Sequence, residues 1–164
     1  MNGFHLPFTG KTNKEIIMDI YERIIEDHQK QRDLAARILE TQGNSEERQQ
    51  LWEEFQPEAV AHANAEEQTF YAALFQHQDT QEQARHSVSE HKEADDLIEE
   101  IGEMSMESSG WLQKFKKLKE DLDHHMEEEE KEVFSMARKI IDEAQAKQLA
   151  QAFNERKEAE LKDA

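Results

Sequence analysis

Residues 111–140, WLQKFKKLKEDLDHHMEEEEKEVFSMARKI, decide the fold. Trp111, Phe115, Leu118, Leu122, Val133, Met136 and Ile140 recur at steps of three and four and their sums, which places them on one face of a helix. His125 lies in the middle of that apolar stripe. Arg138 and Lys139, near the end of the segment, suit the negative pole of a helix dipole. A long helix with one apolar face needs other helices to cover it.

Those partners lie upstream. The spacing predicts a first helix over 14–40, with Ile17, Ile20, Tyr21, Ile24, Ala35 and Ile38 on its stripe. Gly43 breaks the chain, and Asn44 with Glu47 resembles a capping box. A second helix is predicted over 46–77, carrying Leu51, Phe55, Ala59, Phe70 and Ala73. Pro57 within it predicts a kink or a restart. After the polar Asp79-Thr80 loop, a third helix over 81–101 carries Ala84, Val88, Ala94, Ile98 and Ile101. Asp142 with Gln145 reads as the cap of a short fifth helix bearing Leu149 and Phe153, and the last ten residues read as a frayed polar tail. Residues 1–13 read as an irregular arm whose Phe4, Leu6, Pro7 and Phe8 are suited to packing on a bundle end. Nothing alternates with a strand's period of two. The expected fold is all-α: an antiparallel up-down-up-down four-helix bundle over 14–140, with an N-terminal arm over 1–13 and a C-terminal helix and tail over 141–164.

Composition narrows the function. The 164 residues include 20 Lys+Arg and 38 Asp+Glu, a formal charge of −18. That charge repels phosphate, so neither nucleic acid nor an anionic membrane is an expected partner. No apolar run is long enough to span a bilayer. The opening MNGFHLPFTGKTNKE has no apolar signal core, so the expected location is cytoplasmic. The absence of cysteine removes disulfides, thiolate catalysis, iron–sulfur clusters and thiolate zinc sites together. Any metal must be held by histidine and carboxylate. Nothing in the sequence sets an oligomeric state.

Of eight histidines, four fall on apolar stripes, one per predicted helix. His28 follows Tyr21 and Ile24, His62 follows Phe55 and Ala59, His91 follows Ala84 and Val88, and His125 follows Leu118 and Leu122. Each also sits at the middle of its predicted helix. In an antiparallel bundle, mid-helix residues meet at one level, within a few residue rises of ~1.5 Å. His86 and His124 fall on charged faces and are expected to be exposed; His77 ends the second helix and His5 lies in the arm.

His62 and His125 are each followed four residues on by an inward glutamate, Glu66 and Glu129. His86–Glu90 and His124–Glu128 share the spacing but lie on polar faces. A single inward histidine reads as a hydrogen-bonded core residue. Four of them with two glutamates in one layer would be costly to bury without a counter-charge. Imidazole with carboxylate suits iron, manganese, zinc, copper or nickel, and six ligands exceed what a tetrahedral zinc requires. They suit two cations that share the carboxylates.

The strings EDHQKQRDL around His28, HANAEEQTFY from His62, SEHKEADDLI around His91 and HMEEEEKEVF from His125 resemble the haemerythrin-like, or HHE cation-binding, domain family over about residues 14–140. The second and fourth strings share His-x-x-x-Glu-Glu with an aromatic residue eight or nine positions after the histidine. The resemblance implies a four-helix bundle around a non-haem centre of two iron ions (Fe2+/Fe3+), bridged by carboxylates and by an oxo or hydroxo group. Other divalent metals are accepted by the same donors. It implies His28, His62, Glu66, His91, His125 and Glu129 as metal ligands, with Glu66 and Glu129 as the bridges. It also marks a departure from the oxygen carriers: Ser87 stands four residues before His91, where their third helix supplies a further histidine. That favours an open or water-filled position on one iron and disfavours reversible oxygen carriage.

Three functions follow as expectations. The first is a di-iron protein that binds O2, NO or peroxide for sensing, storage or iron handling. The second is a di-iron oxidoreductase acting on peroxide or NO, and the third a metal-free helical interaction module. Tyr21, two turns before His28, reads as a core tyrosine or as a hydrogen-bond donor to the centre.

Overall fold

The computed structural model describes residues 18–164. The predicted arm over 1–13 and the stripe position Ile17 lie outside the described residues. The described chain forms five helical rods. The first is α1 (Ile20–Leu39). The second is α2 (Glu46–Glu66), which runs through a π-helical turn (Glu67–Tyr71) into α3 (Ala72–Phe75). The third is α4 (Gln81–Glu103). The fourth is α5 (Ser109–Glu128), which passes through a second π-helical turn (Glu129–Val133) into α6 (Phe134–Arg138). The fifth is α7 (Glu143–Lys162). Rods one to four pack in a closed ring, each against its two neighbours, and short connections reverse the chain between them. The fifth lies against the first and second.

Local chemistry sets the boundaries. α1 opens at Ile20, because Asp19 adopts an extended backbone and its side chain accepts from the Glu22 N–H at 2.9 Å; positions 14–17 of the predicted first helix lie outside the described residues. The expected Asn44 cap shifts by one: Ser45 accepts from the Arg48 N–H at 3.1 Å. Gly43, at φ 55°, makes the left-handed turn before it. α2 passes through Pro57 without restarting. Asp142 caps α7 as expected, accepting from the Gln145 N–H at 2.7 Å. α7 itself is neither short nor frayed. It spans 20 residues, because Ala146, Ala150, Phe153 and Lys157 form a buried stripe that holds its polar end against the bundle.

The two π turns explain the displaced stripe positions. A π turn adds one residue to the helical repeat and so rotates everything beyond it by about a quarter turn or more. Past Glu66 the buried residue is Leu74 rather than the expected Ala73. Past Glu129, Ala137 and Ile141 are buried, whereas the expected Met136 and Ile140 are half-exposed.

The apolar core is divided in two. One cluster gathers Ile20, Ile24, Phe70, Leu74, Val133 and Phe153. The other gathers Ile38, Trp52, Phe55, Ile98, Trp111 and Phe115. Between them lies a polar layer made from the middle of rods one to four. Arg48 closes the far end: it is buried, donates to the Thr41 carbonyl at 2.7 Å and the Met106 carbonyl at 2.9 Å, and stacks on Trp111.

Candidate metal centre

The polar layer contains all six residues expected from the sequence. His28, His62, Glu66, His91, His125 and Glu129 are buried, the two glutamates completely. Their donor atoms form two groups, each with all members within 4.8 Å of one another. One is His28, His62, Glu66 and Glu129; the other is Glu66, His91, His125 and Glu129. The glutamates belong to both. Each histidine turns Nε2 inward: His28 lies 3.2 Å from Glu129, His62 2.6 Å from Glu66, and His91 3.0 Å from the Nε2 of His125.

The outward nitrogens reveal a pattern that sequence reading missed. Nδ1 of every one of these histidines meets a carboxylate from a neighbouring rod. His62 meets Asp27 at 2.7 Å, His91 meets Glu67 at 3.0 Å, His125 meets Glu90 at 3.0 Å, and His28 meets Glu130 at 3.3 Å. The contacts run from the first rod to the second, second to third, third to fourth, and fourth back to first. An Nδ1–H held by a carboxylate fixes the ring and leaves the Nε2 lone pair for a cation. The signal was present in the sequence, since each of these carboxylates is the immediate neighbour of a candidate ligand.

The centre holds polar atoms that no protein group satisfies. Both oxygens of Glu66, Oε1 of Glu129 and Nε2 of His62 are buried and, close as they lie to neighbouring donor atoms of the layer, make no well-oriented hydrogen bond among the described residues. Burial, and then the charge of Glu129, push the Glu66 carboxyl well above the usual range. Burial acts the same way on Glu129, but the close imidazoles of His125 and His28 outweigh it and hold that carboxylate well below the usual range. Burial disfavours the charged form of His125, yet contacts with Glu129 and Glu90 raise its pKa well above the ordinary value. Burial depresses His91. Orphaned acceptors facing imidazole lone pairs are what a cation site requires, so the donor set fits divalent or trivalent metal.

Tyr71 is a further polar group at the centre. It is wholly buried, and its hydroxyl donates to Oε2 of Glu129. The buried Ser87 lies beside the same phenol. Tyr21 does not reach the centre: it packs edge-on against Phe70 and Phe134, and its hydroxyl has no partner among the described residues. His86 and His124 are exposed, as expected.

A cavity of about 20 Å³ borders His28, His62, His91 and His125, room for little more than one water. A larger one, about 210 Å³, runs between the third and fourth rods from exposed Glu93 and His124 to buried His91 and His125.

Fold and site together define a helical-bundle protein with a buried histidine–carboxylate site for cations. The sequence matches the family model described as Hemerythrin HHE cation binding domain over residues 19–137, and the chain belongs to that family. Among solved structures it is similar in fold to an HHE cation binding domain-containing protein from Mycobacterium kansasii, with a TM-score of 0.79, 24% identity and 89% of each chain covered. No curated protein matches the sequence. None of the described helices is long and apolar enough to cross a membrane.

Proposed function

We propose that the chain is a non-haem di-iron protein that binds O2, NO or peroxide for sensing, storage or iron handling. In this reading His28 and His62 would hold one iron, His91 and His125 the other, and Glu66 and Glu129 would be shared by both. The observation that carries it is the sharing of those two glutamates by both donor groups. Iron in such a donor set supplies one-electron redox change and coordination positions for small ligands.

The chain's own residues supply the rest. The ring of Asp27, Glu67, Glu90 and Glu130 fixes the four imidazoles. The apolar clusters on either side keep bulk water out. The size of the inner cavity restricts a ligand to a few atoms, and the opening between the third and fourth rods favours approach on the His91/His125 side. Titrating the ferrous protein with NO, and separately with O2, while recording visible spectra tests the reading. New absorption bands that saturate with added gas are expected; an unchanged spectrum in an iron-loaded sample contradicts it.

One observation favours a second reading, an oxidoreductase acting on peroxide or NO. The Tyr71 hydroxyl holds a proton against Glu129, where a reacting ligand would need one. Repeated turnover of peroxide or NO with an added reductant distinguishes this reading from binding alone.

A further inference from the structure

We infer that the fifth helix is part of the metal centre, and that Lys157 is a positioning residue that fixes His62 through Asp27. The inference rests on the cation-binding reading above and assigns a role to a helix beyond residues 19–137, where the family match ends.

Lys157 occupies the position on the α7 stripe where the packing would otherwise take an apolar side chain. Ala146 and Ala150 bring the helix close, Phe153 packs edge-on to His62 with ring centroids 5.4 Å apart, and Lys157 follows one turn later. Lys157 is buried, at 7% exposure, and its ammonium donates to Oδ1 of Asp27 at 2.9 Å and to Oε1 of Glu58. Arg23 donates to the same Oδ1 at 2.6 Å. With Oδ1 held from two sides, Oδ2 of Asp27 is left to accept the Nδ1–H of His62 at 2.7 Å. A buried lysine is costly unless it is paired, and here the pair continues through one carboxylate to an imidazole of the centre.

The two halves of the centre differ in this respect. Behind His28, Glu130 is paired with Arg32; behind His62, Asp27 is paired with Arg23 and Lys157. Behind His91 and His125, Glu67 and Glu90 meet no lysine or arginine among the described residues. Loss of Lys157 therefore acts on one cation position and spares the other.

The test is a titration of the metal-free, full-length chain with Co2+, followed by visible absorption, for wild type, Lys157→Met, Asp27→Asn and the double variant. Wild type takes up two equivalents. Lys157→Met keeps one at wild-type affinity and weakens the other about tenfold or more, the usual effect of losing an outer hydrogen-bond partner. Asp27→Asn does the same, and the double variant is no worse than Asp27→Asn, because both act through one contact. Both equivalents unchanged in Lys157→Met, both weakened in step with melting temperature, or additive losses in the double variant would each overturn the assignment. If Lys157→Met does not fold, adding Glu58→Gln removes the buried charge that is left with Lys30 alone, at 3.5 Å. A second readout needs no metal: 15N spectra of the metal-free chain place the His62 proton on Nδ1 in wild type, and Lys157→Met loses that preference. An unchanged His62 signal contradicts the role of Lys157, whereas failure of wild type to take up Co2+ contradicts the cation-binding reading alone.

Discussion

The hydroxyl of Tyr71, carried on the π turn of the second rod, donates to the Glu129 carboxylate at the start of the π turn of the fourth. Burial, with the charges of Glu129 and Glu66, raises the Tyr71 pKa well above its ordinary value, so the phenol keeps its proton and remains a donor. Tyr71→Phe leaves a buried carboxylate oxygen short of one bond, a loss of about 1.5–3 kcal/mol for a hydrogen bond to a charged group. Tyr21→Phe removes a buried hydroxyl that has no partner among the described residues, so it is expected to be neutral or stabilising. Urea denaturation of the two variants beside wild type checks both; equal losses would contradict the contrast.

Metal removal is expected to lower stability. Four imidazoles and two carboxylates share a buried layer in which several atoms lack partners, and a cation bound to the folded state alone stabilises it by linkage. At free metal about a hundredfold above its dissociation constant, that linkage amounts to roughly 2.7 kcal/mol. Thermal melts of chelator-treated and metal-reloaded protein should differ by several degrees, the reloaded form melting higher. Coincident melts would contradict the expectation.

Asp95, which lines the inner cavity beside the histidines, predicts a pH dependence of its own. Burial, then the charges of Glu67 and Asp96, push its carboxyl up to about 6. A carboxyl raised on folding holds its proton more tightly in the native state, so stability falls as pH rises from the unfolded value through about 6. Asp95→Asn should therefore raise the melting temperature at pH 7.5 by a few degrees and change it little at pH 4. An equal effect at both pH values would count against this account.

The bundle was legible because its apolar residues recur at helical spacing in four segments, and the inward histidines were legible because they share those stripes. The π turns were not. A single inserted residue leaves no mark in composition, and the two turns surfaced only as the exchange of Ala73 for Leu74, and of Met136 and Ile140 for Ala137 and Ile141, in the core. The role of α7 was hidden by its charge: a stripe of Ala146, Ala150, Phe153 and Lys157 reads as polar unless the lysine is known to be paired with Asp27 and Glu58. Asp27, Glu67, Glu90 and Glu130 were hidden in a chain with 38 acidic residues, where a carboxylate beside a ligand carries little information by itself. Only their ring of contacts distinguishes them from the solvated majority.

The central claim is that two cations share Glu66 and Glu129. Its most direct test is iron quantitation after anaerobic loading and desalting, on wild type and on the His62→Ala/His125→Ala double variant. The account predicts about two irons per wild-type chain, the number this donor set accommodates, and none retained by the variant. A wild-type chain that retains no iron, or a double variant that retains as much as wild type, would contradict it.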